Sequence, residues 1–142
     1  MNYVSKVVVI VENRYVMSIK KSPLKSEKDK RLEFFGGNCD GDETAFEGLL
    51  RELKEEESSG VLSKKAGQLK LKPVKEFLLD DKMQVIYQME ITFDEYNQLN
   101  ADHDESYGIT TVPVDYFNTP KQVDLDKFTP KTVLILKKLE II

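Results

Sequence analysis

Glu52, Glu55 and Glu56 stand at i, i+3 and i+4 in the run RELKEEE, a spacing that puts three carboxylates on one stripe of any helix containing them. Like charges so placed repel one another unless a cation compensates, and hard oxygen ligands of this kind suit Mg²⁺ or Mn²⁺. Arg51, next in sequence, can hold a carboxylate bidentately and fix its orientation. Upstream, the aromatic run LEFFGG (Leu32 to Gly37) resembles a short strand ending in Gly36 and Gly37, whose missing Cβ atoms let the backbone bend sharply or approach a phosphate closely. A solvated acidic helix with Lys54 in a weak ion pair accounts for RELKEEE alone. It does not call for a Gly-Gly pair and Glu43 held in a fixed frame ahead of it.

The carboxylates need a helix to aim them. Thr44 can act as N-cap with Glu47 three residues on, the reciprocal capping box, and a Gly/Asp-rich loop precedes it. The pattern predicts a helix from about Ala45 to Ser59. Ala45, Leu49, Leu50 and Leu53 fall on the stripe that a helix buries, leaving the glutamates on another.

In that frame Gly37, Glu43, Arg51, Glu52, Leu53, Glu55 and Glu56 resemble the Nudix box, Gx5Ex7REUxEExGU with U aliphatic, the signature of the Nudix hydrolases; seven of its nine specified positions are met. There are two departures. Phe35 stands where the family often has Pro in EFPGG, and Ser58 and Ser59 stand at the closing Gly and aliphatic positions. Gly60 and Val61 follow at once, which reads as a helix two residues longer before its Gly C-cap.

The resemblance implies an αβα sandwich with a mixed central β-sheet between the box helix and a C-terminal helix. It also implies hydrolysis, dependent on a divalent metal, of the pyrophosphate bond in a nucleoside diphosphate linked to another group. Glu52, Glu55 and Glu56 would be the metal ligands for Mg²⁺ or Mn²⁺, Gly36 and Gly37 would permit the loop geometry, Arg51 would orient carboxylates and Glu43 would support the cluster at its edge. Glu52 or Glu56 would deprotonate the attacking water unless a loop acid does so. Many members take such an acid from a loop corresponding to the polar stretch Asp94 to Tyr107; Glu105 is the first candidate here, with Asp102 and Asp104 behind it. The alternative is a non-catalytic Nudix-fold module that binds a nucleotide or regulates, and loss of a box glutamate would have favoured it. Action on capped or triphosphorylated RNA lacks the interleaved aromatic and basic residues of an RNA surface. The partner expected is a small-molecule nucleotide, with LEFFGG and short loops favouring a compact nucleoside-triphosphate pyrophosphohydrolase.

Length and composition agree with one domain spanning 1–142: 40% hydrophobic residues suffice for a core. A net charge of −4 and a pI near 5.2 argue against nucleic acid as a general partner. The apolar run VVVIV, Val7 to Val11, is too short to cross a membrane and lacks signal-peptide flanks, so a cytoplasmic protein is expected. Cys39 is the only cysteine, which rules out an intrachain disulfide; without a neighbouring His or thiol in sequence it reads as a passive loop residue. His103, the only histidine, is given no role.

The remaining elements follow from local patterns. Lys6 to Val11 and Tyr15 to Lys20 predict a hairpin with its first strand buried on both faces. Residues 20–31 read as an exposed basic loop in which Lys25, Lys28 or Arg31 could steer polyphosphate. Leu69 to Leu79 and Met83 to Phe93 predict antiparallel strands turning at Asp80 and Asp81, the second with one wetter face. Ile109 to Val114 returns to the sheet. Thr129 and Pro130 open a closing helix with Val133, Leu136 and Leu139 on its stripe, and its surplus Leu134, Ile135, Ile141 and Ile142 could serve a homodimer contact or the core. Tyr15, Phe34, Tyr87 and Tyr107 could stack on a base or pack the interior.

Overall fold

The computed structural model describes residues 2–21, 30–103 and 106–142. β1 (Asn2–Val11) and β2 (Arg14–Lys20) form the opening hairpin. Its two turn residues, Glu12 and Asn13, both take left-handed torsions (φ 45° and 62°), the primed turn that matches strand twist. β3 (Arg31–Glu33), β4 (Phe35–Asn38), α1 (Ala45–Glu56) and α2 (Val61–Leu69) follow. β5 (Lys75–Leu79) and β6 (Lys82–Glu90) make a second hairpin across Asp80 and Asp81, again both left-handed. The chain closes with α3 (Phe93–Tyr96), β7 (Asp102–His103), β8 (Ser106–Pro113), three short 3₁₀ segments between Val114 and Lys127, and α4 (Pro130–Lys138).

Among the described residues the sheet has eight strands, in the order β5-β6-β1-β2-β8-β7 with β3 on β2 and β4 on β1. β1 runs parallel to β6 and antiparallel to its other partners, so the sheet is mixed. The expected LEFFGG strand is in fact two strands with different partners. β1 pairs β2 over Val9–Val11 and β4 over Val4–Val7, while β2 pairs β3 over Ser18–Lys20. The fork between β1 and β2 is thus filled by β3 and β4, with buried Phe34 at their junction.

Side chains alternate across a strand, which explains why VVVIV is apolar throughout. Val7, Val9 and Val11 face Leu49 and Leu53 of α1 and Leu62 and Ala66 of α2; Val8 faces the opposite side with Ile135 and Leu136 of α4. The result is an αβα sandwich with α1 and α2 on one face and α4 on the other. The stripe residues Val133 and Leu139 pack on that second core, and of the C-terminal apolar surplus Ile135 is buried in it while Ile141 and Ile142 pack against it.

Several boundaries differ from expectation. α1 ends at Glu56, because Glu57 turns extended (φ −132°, ψ 104°), and Gly60 (φ 82°) is the N-cap of α2 rather than the C-cap of α1. The predicted strand from Leu69 begins only at Lys75, since Leu69 closes α2, and β6 stops at Glu90 with Phe93 opening α3. The wetter face of β6 appears only at Gln88 and Glu90, as Gln84 is buried. Among the described residues no helix is long and apolar enough to cross a membrane.

Candidate active site

The capping box forms as the residues require. Thr44 Oγ1 accepts the Glu47 N–H at 3.1 Å and Glu47 Oε1 accepts the Thr44 N–H at 2.9 Å, which fixes where α1 begins. Leu49 and Leu53, both fully buried, fix its rotation. That rotation aims Glu52 and Glu56 at the glycine bend. The Gly36 N–H donates to Glu56 Oε1 at 2.9 Å and to Oε2 at 3.3 Å. Gly36 has φ +128°, and a Cβ there would overlap the Ser5 carbonyl oxygen and sit 2.8 Å from Lys6 Cα. A Cβ on Gly37 would lie 2.8 Å from the Glu52 carboxyl carbon. The two glycines let β4 lie directly against two carboxylates.

Arg51 organises the outer side. Its Nε and Nη2 hold Glu43 bidentately, at 2.9 Å to Oε2 and 3.1 Å to Oε1. Nη1 donates to Glu52 Oε1 at 3.3 Å and Glu55 Oε1 at 3.1 Å, Nη2 to the Asn38 carbonyl at 2.9 Å, and Asp40 Oδ2 lies 3.3 Å from Nε. The expected bidentate carboxylate is therefore Glu43, and through it the guanidinium braces the box loop against the helix. Glu55 is the outlying member, with a side chain 58% exposed against 17% for Glu52.

The electrostatics divide the same way. The Arg51 guanidinium, then the Asp40 N–H, holds the Glu43 carboxyl below the usual range, and Glu43 in turn raises the arginine. Burial pushes Glu52 up, and it pushes Glu56 up to about 8 against the opposing pull of Lys6 and the Gly36 N–H. Two desolvated acidic groups side by side, Glu56 raised further by Glu52 and Glu52 by Glu55, are what a divalent cation would relieve.

Among the described residues no three His, Cys, Asp or Glu side chains converge into a ready-made metal cage. Glu52 and Glu56 share the bend while Glu55 is turned to Arg51. This set still fits Mg²⁺, which keeps several waters and is held by one or two carboxylates together with substrate phosphates. Of the loop acids, Asp102 lies in β7, whereas Asp104 and Glu105 lie outside the described residues, as do Lys25 and Lys28. Tyr15, Phe34 and Tyr87 are core residues; Tyr107 is more exposed, with Lys21 and Lys30 over its ring.

Two charged residues near the site escaped the sequence reading. Glu57, 1% exposed, accepts the N–H groups of Ser59 (2.9 Å), Leu62 (3.3 Å) and Asn100 (2.9 Å), so it caps α2 and ties the loop after α3 to the end of α1. Lys6 is buried under the bend with Nζ on the carbonyls of Phe34 (3.3 Å) and Gly36 (3.1 Å). A lone lysine at the head of an apolar strand was the available signal. Cys39 packs against Gly48 and Ser5, and burial pushes its thiol up, in keeping with a passive residue.

No family model matches the sequence, and no curated protein does either. Solved structures do match in fold. A hydrolase of the Nudix family from Clostridium perfringens is similar over 99% of this chain and 97% of its own, with 16% identity and a TM-score of 0.58. A MutT Nudix hydrolase from Burkholderia pseudomallei matches over 97% of each chain, at 11% identity and a TM-score of 0.60. A bifunctional NMN adenylyltransferase/ADP ribose pyrophosphatase from Francisella tularensis, complexed with AMP and Mn ion, matches 97% of this chain at 18% identity and a TM-score of 0.69; the chain spans 40% of that protein. The chain has the Nudix fold, with its box residues on the first helix and the bend before it.

Proposed function

We propose that this protein hydrolyses the pyrophosphate bond of a nucleoside diphosphate linked to another group, a nucleoside triphosphate being the compact case, with Mg²⁺ or Mn²⁺ as cofactor. The observation that carries the reading is the seating of Glu52 and Glu56 on the Gly36–Gly37 bend. A surface helix has no use for two desolvated carboxylates there. Glu52 and Glu56 would hold the metal, with Glu55 at the rim. When bound, the cation neutralises charge on the diphosphate and makes water a better nucleophile.

The chain's own residues supply position. Gly36 and Gly37 let the bend lie against the Ser5 backbone and the Glu52 carboxylate, where a Cβ would clash. Lys6 fixes the bend from beneath, and Arg51 with Glu43 fixes the carboxylates from outside. The attacking water's oxygen bonds to phosphorus, its proton passes to a carboxylate oxygen of Glu52 or Glu56 or of the loop acid Glu105, and the bridging oxygen leaves with the electron pair.

One observation favours the second reading, a nucleotide-binding module without turnover: Arg51 already engages Glu52 and Glu55, leaving no three-carboxylate cage among the described residues. Phosphate or pyrophosphate release from a nucleotide panel, with Mg²⁺ and with chelator, separates the two. Metal-dependent release lost in Glu56→Gln supports hydrolysis; tight nucleotide binding with no release from any compound supports the module.

A further inference from the structure

On the α1 face of the sheet a cleft of about 290 Å³ opens between the segment that follows α3 and the start of β8. We infer that it takes the nucleobase of the substrate and selects a base whose edge offers adjacent N–H donors, as guanine does. That the occupant is a nucleotide rests on the function proposed above; the shape and polarity of the cleft are independent of it.

At this volume the cleft lies at the small end of the range for ligand pockets, ~300 Å³, and has room for a planar ring system. Tyr96, Leu99 and Ile109 give it apolar walls continuous with the core beneath α1. Asn97, Asn100 and Asp102 give it a polar rim, and Asn100 Oδ1 accepts the Asp102 N–H at 3.1 Å, which fixes these two relative to each other. Flat apolar faces with a polar edge describe a base; a sugar would need polar partners all round. Both walls connect to the carboxylate site. One is tied to the end of α1, where Ser58 N–H donates to the Asn100 carbonyl at 2.8 Å and Glu57 accepts the Asn100 N–H. The other runs from Ile109 across Ser18 to Glu33, just ahead of the bend. The cleft is thus joined through the backbone to both the end of α1 and the strand that leads into the bend.

The choice of base follows from Asp102. An ionised carboxylate only accepts hydrogen bonds. Guanine offers N1–H and its 2-amino group side by side, whereas adenine sets the N1 lone pair beside a single amino group and is repelled. A bidentate pair of this kind discriminates on the order of 10- to 100-fold.

Calorimetric titration with GMP and AMP, which contain no pyrophosphate bond, tests this separately from turnover. The parent is compared with Asp102→Asn and Asn97→Trp; both positions are exposed, and the helical backbone of Asn97 (φ −65°, ψ −15°) accepts tryptophan without strain. GMP should bind at least tenfold tighter than AMP, Asp102→Asn should erase that preference by weakening GMP alone, and Asn97→Trp should weaken both. Equal affinity for the two nucleotides, or variants that change neither, overturns the inference. Hydrolysis of GTP and ATP with Mg²⁺ is followed in parallel. The expected binding pattern without turnover leaves the base site standing and removes the hydrolase, whereas turnover that is blind to the base and to both variants removes the base site alone.

Discussion

Replacing Glu56 by Gln should flatten this protein's response to pH and weaken its response to Mg²⁺. In the folded chain burial holds the Glu56 carboxyl up to about 8, against an ordinary value of 4.5. Between these limits the unfolded chain has released the proton and the folded chain has kept it, so the folded state binds more protons and stability falls as pH rises. The contribution is complete below about pH 4.5 and gone above about pH 8. Each tenfold change in proton affinity is worth about 1.4 kcal/mol, which puts the loss on the order of 3 to 5 kcal/mol. In a domain of this size that is roughly 10–20 °C in Tm. Glu43 and Glu95 are shifted the other way, so their stabilising effect is lost only as pH falls below the usual carboxylate range, outside this window. The Gln side chain keeps an oxygen for the Gly36 N–H but cannot ionise. Calorimetric melting between pH 5 and 8 without metal should therefore show a steep decline in the parent and a shallow one in Glu56→Gln, the residue of slope belonging to Glu52. Mg²⁺ at about a hundred times its Kd should restore ~2.7 kcal/mol to the parent at pH 8 and much less to the variant. Parallel pH curves, or equal stabilisation by Mg²⁺, would refute the reasoning.

The two glycines should separate structure from chemistry. Gly36→Ala meets the Ser5 backbone and a left-handed φ, so it should cost about 3 kcal/mol or more in denaturant unfolding. Gly37→Ala meets only the end of the Glu52 side chain, so unfolding should change by about 1 kcal/mol or less while kcat drops at least tenfold. Arg51→Gln frees Glu43, Glu52 and Glu55 from their common partner and should lower metal affinity or kcat by about 10- to 100-fold, read from Mn²⁺ binding and steady-state rates. Glu57→Ala strands three N–H groups and should destabilise by about 2–4 kcal/mol, with Glu57→Gln less severe because one oxygen remains.

The box helix and its start were legible because every signal there is local: a capping pair, an apolar stripe and three acids in one turn. Its end was not. Gly60 looks like a C-cap, but the chain leaves the helix at Glu57, whose carboxylate is drawn inward by Asn100 from a segment far along the sequence. α2 was missed for a related reason: VLSKKAGQL has a weak helical pattern of its own and is stabilised by packing Leu62 and Ala66 on β1 and α1. The division of LEFFGG into two strands depends on the fork in the sheet, a long-range pairing that a run of aromatics does not encode. At the site, the residue types were readable, but the sorting of the three glutamates was not. Which carboxylate meets the bend and which meets Arg51 is decided by where β4 lies against α1.

The most direct test of the central claim is single-turnover hydrolysis of a nucleoside triphosphate, followed by ³¹P NMR in Mg²⁺, for the parent, Glu52→Gln and Glu56→Gln. Cleavage that stops on chelation in the parent and slows at least a hundredfold in both variants, with their fold intact, is the predicted result. Cleavage at the parent's rate in either variant, or cleavage untouched by chelator, would contradict it.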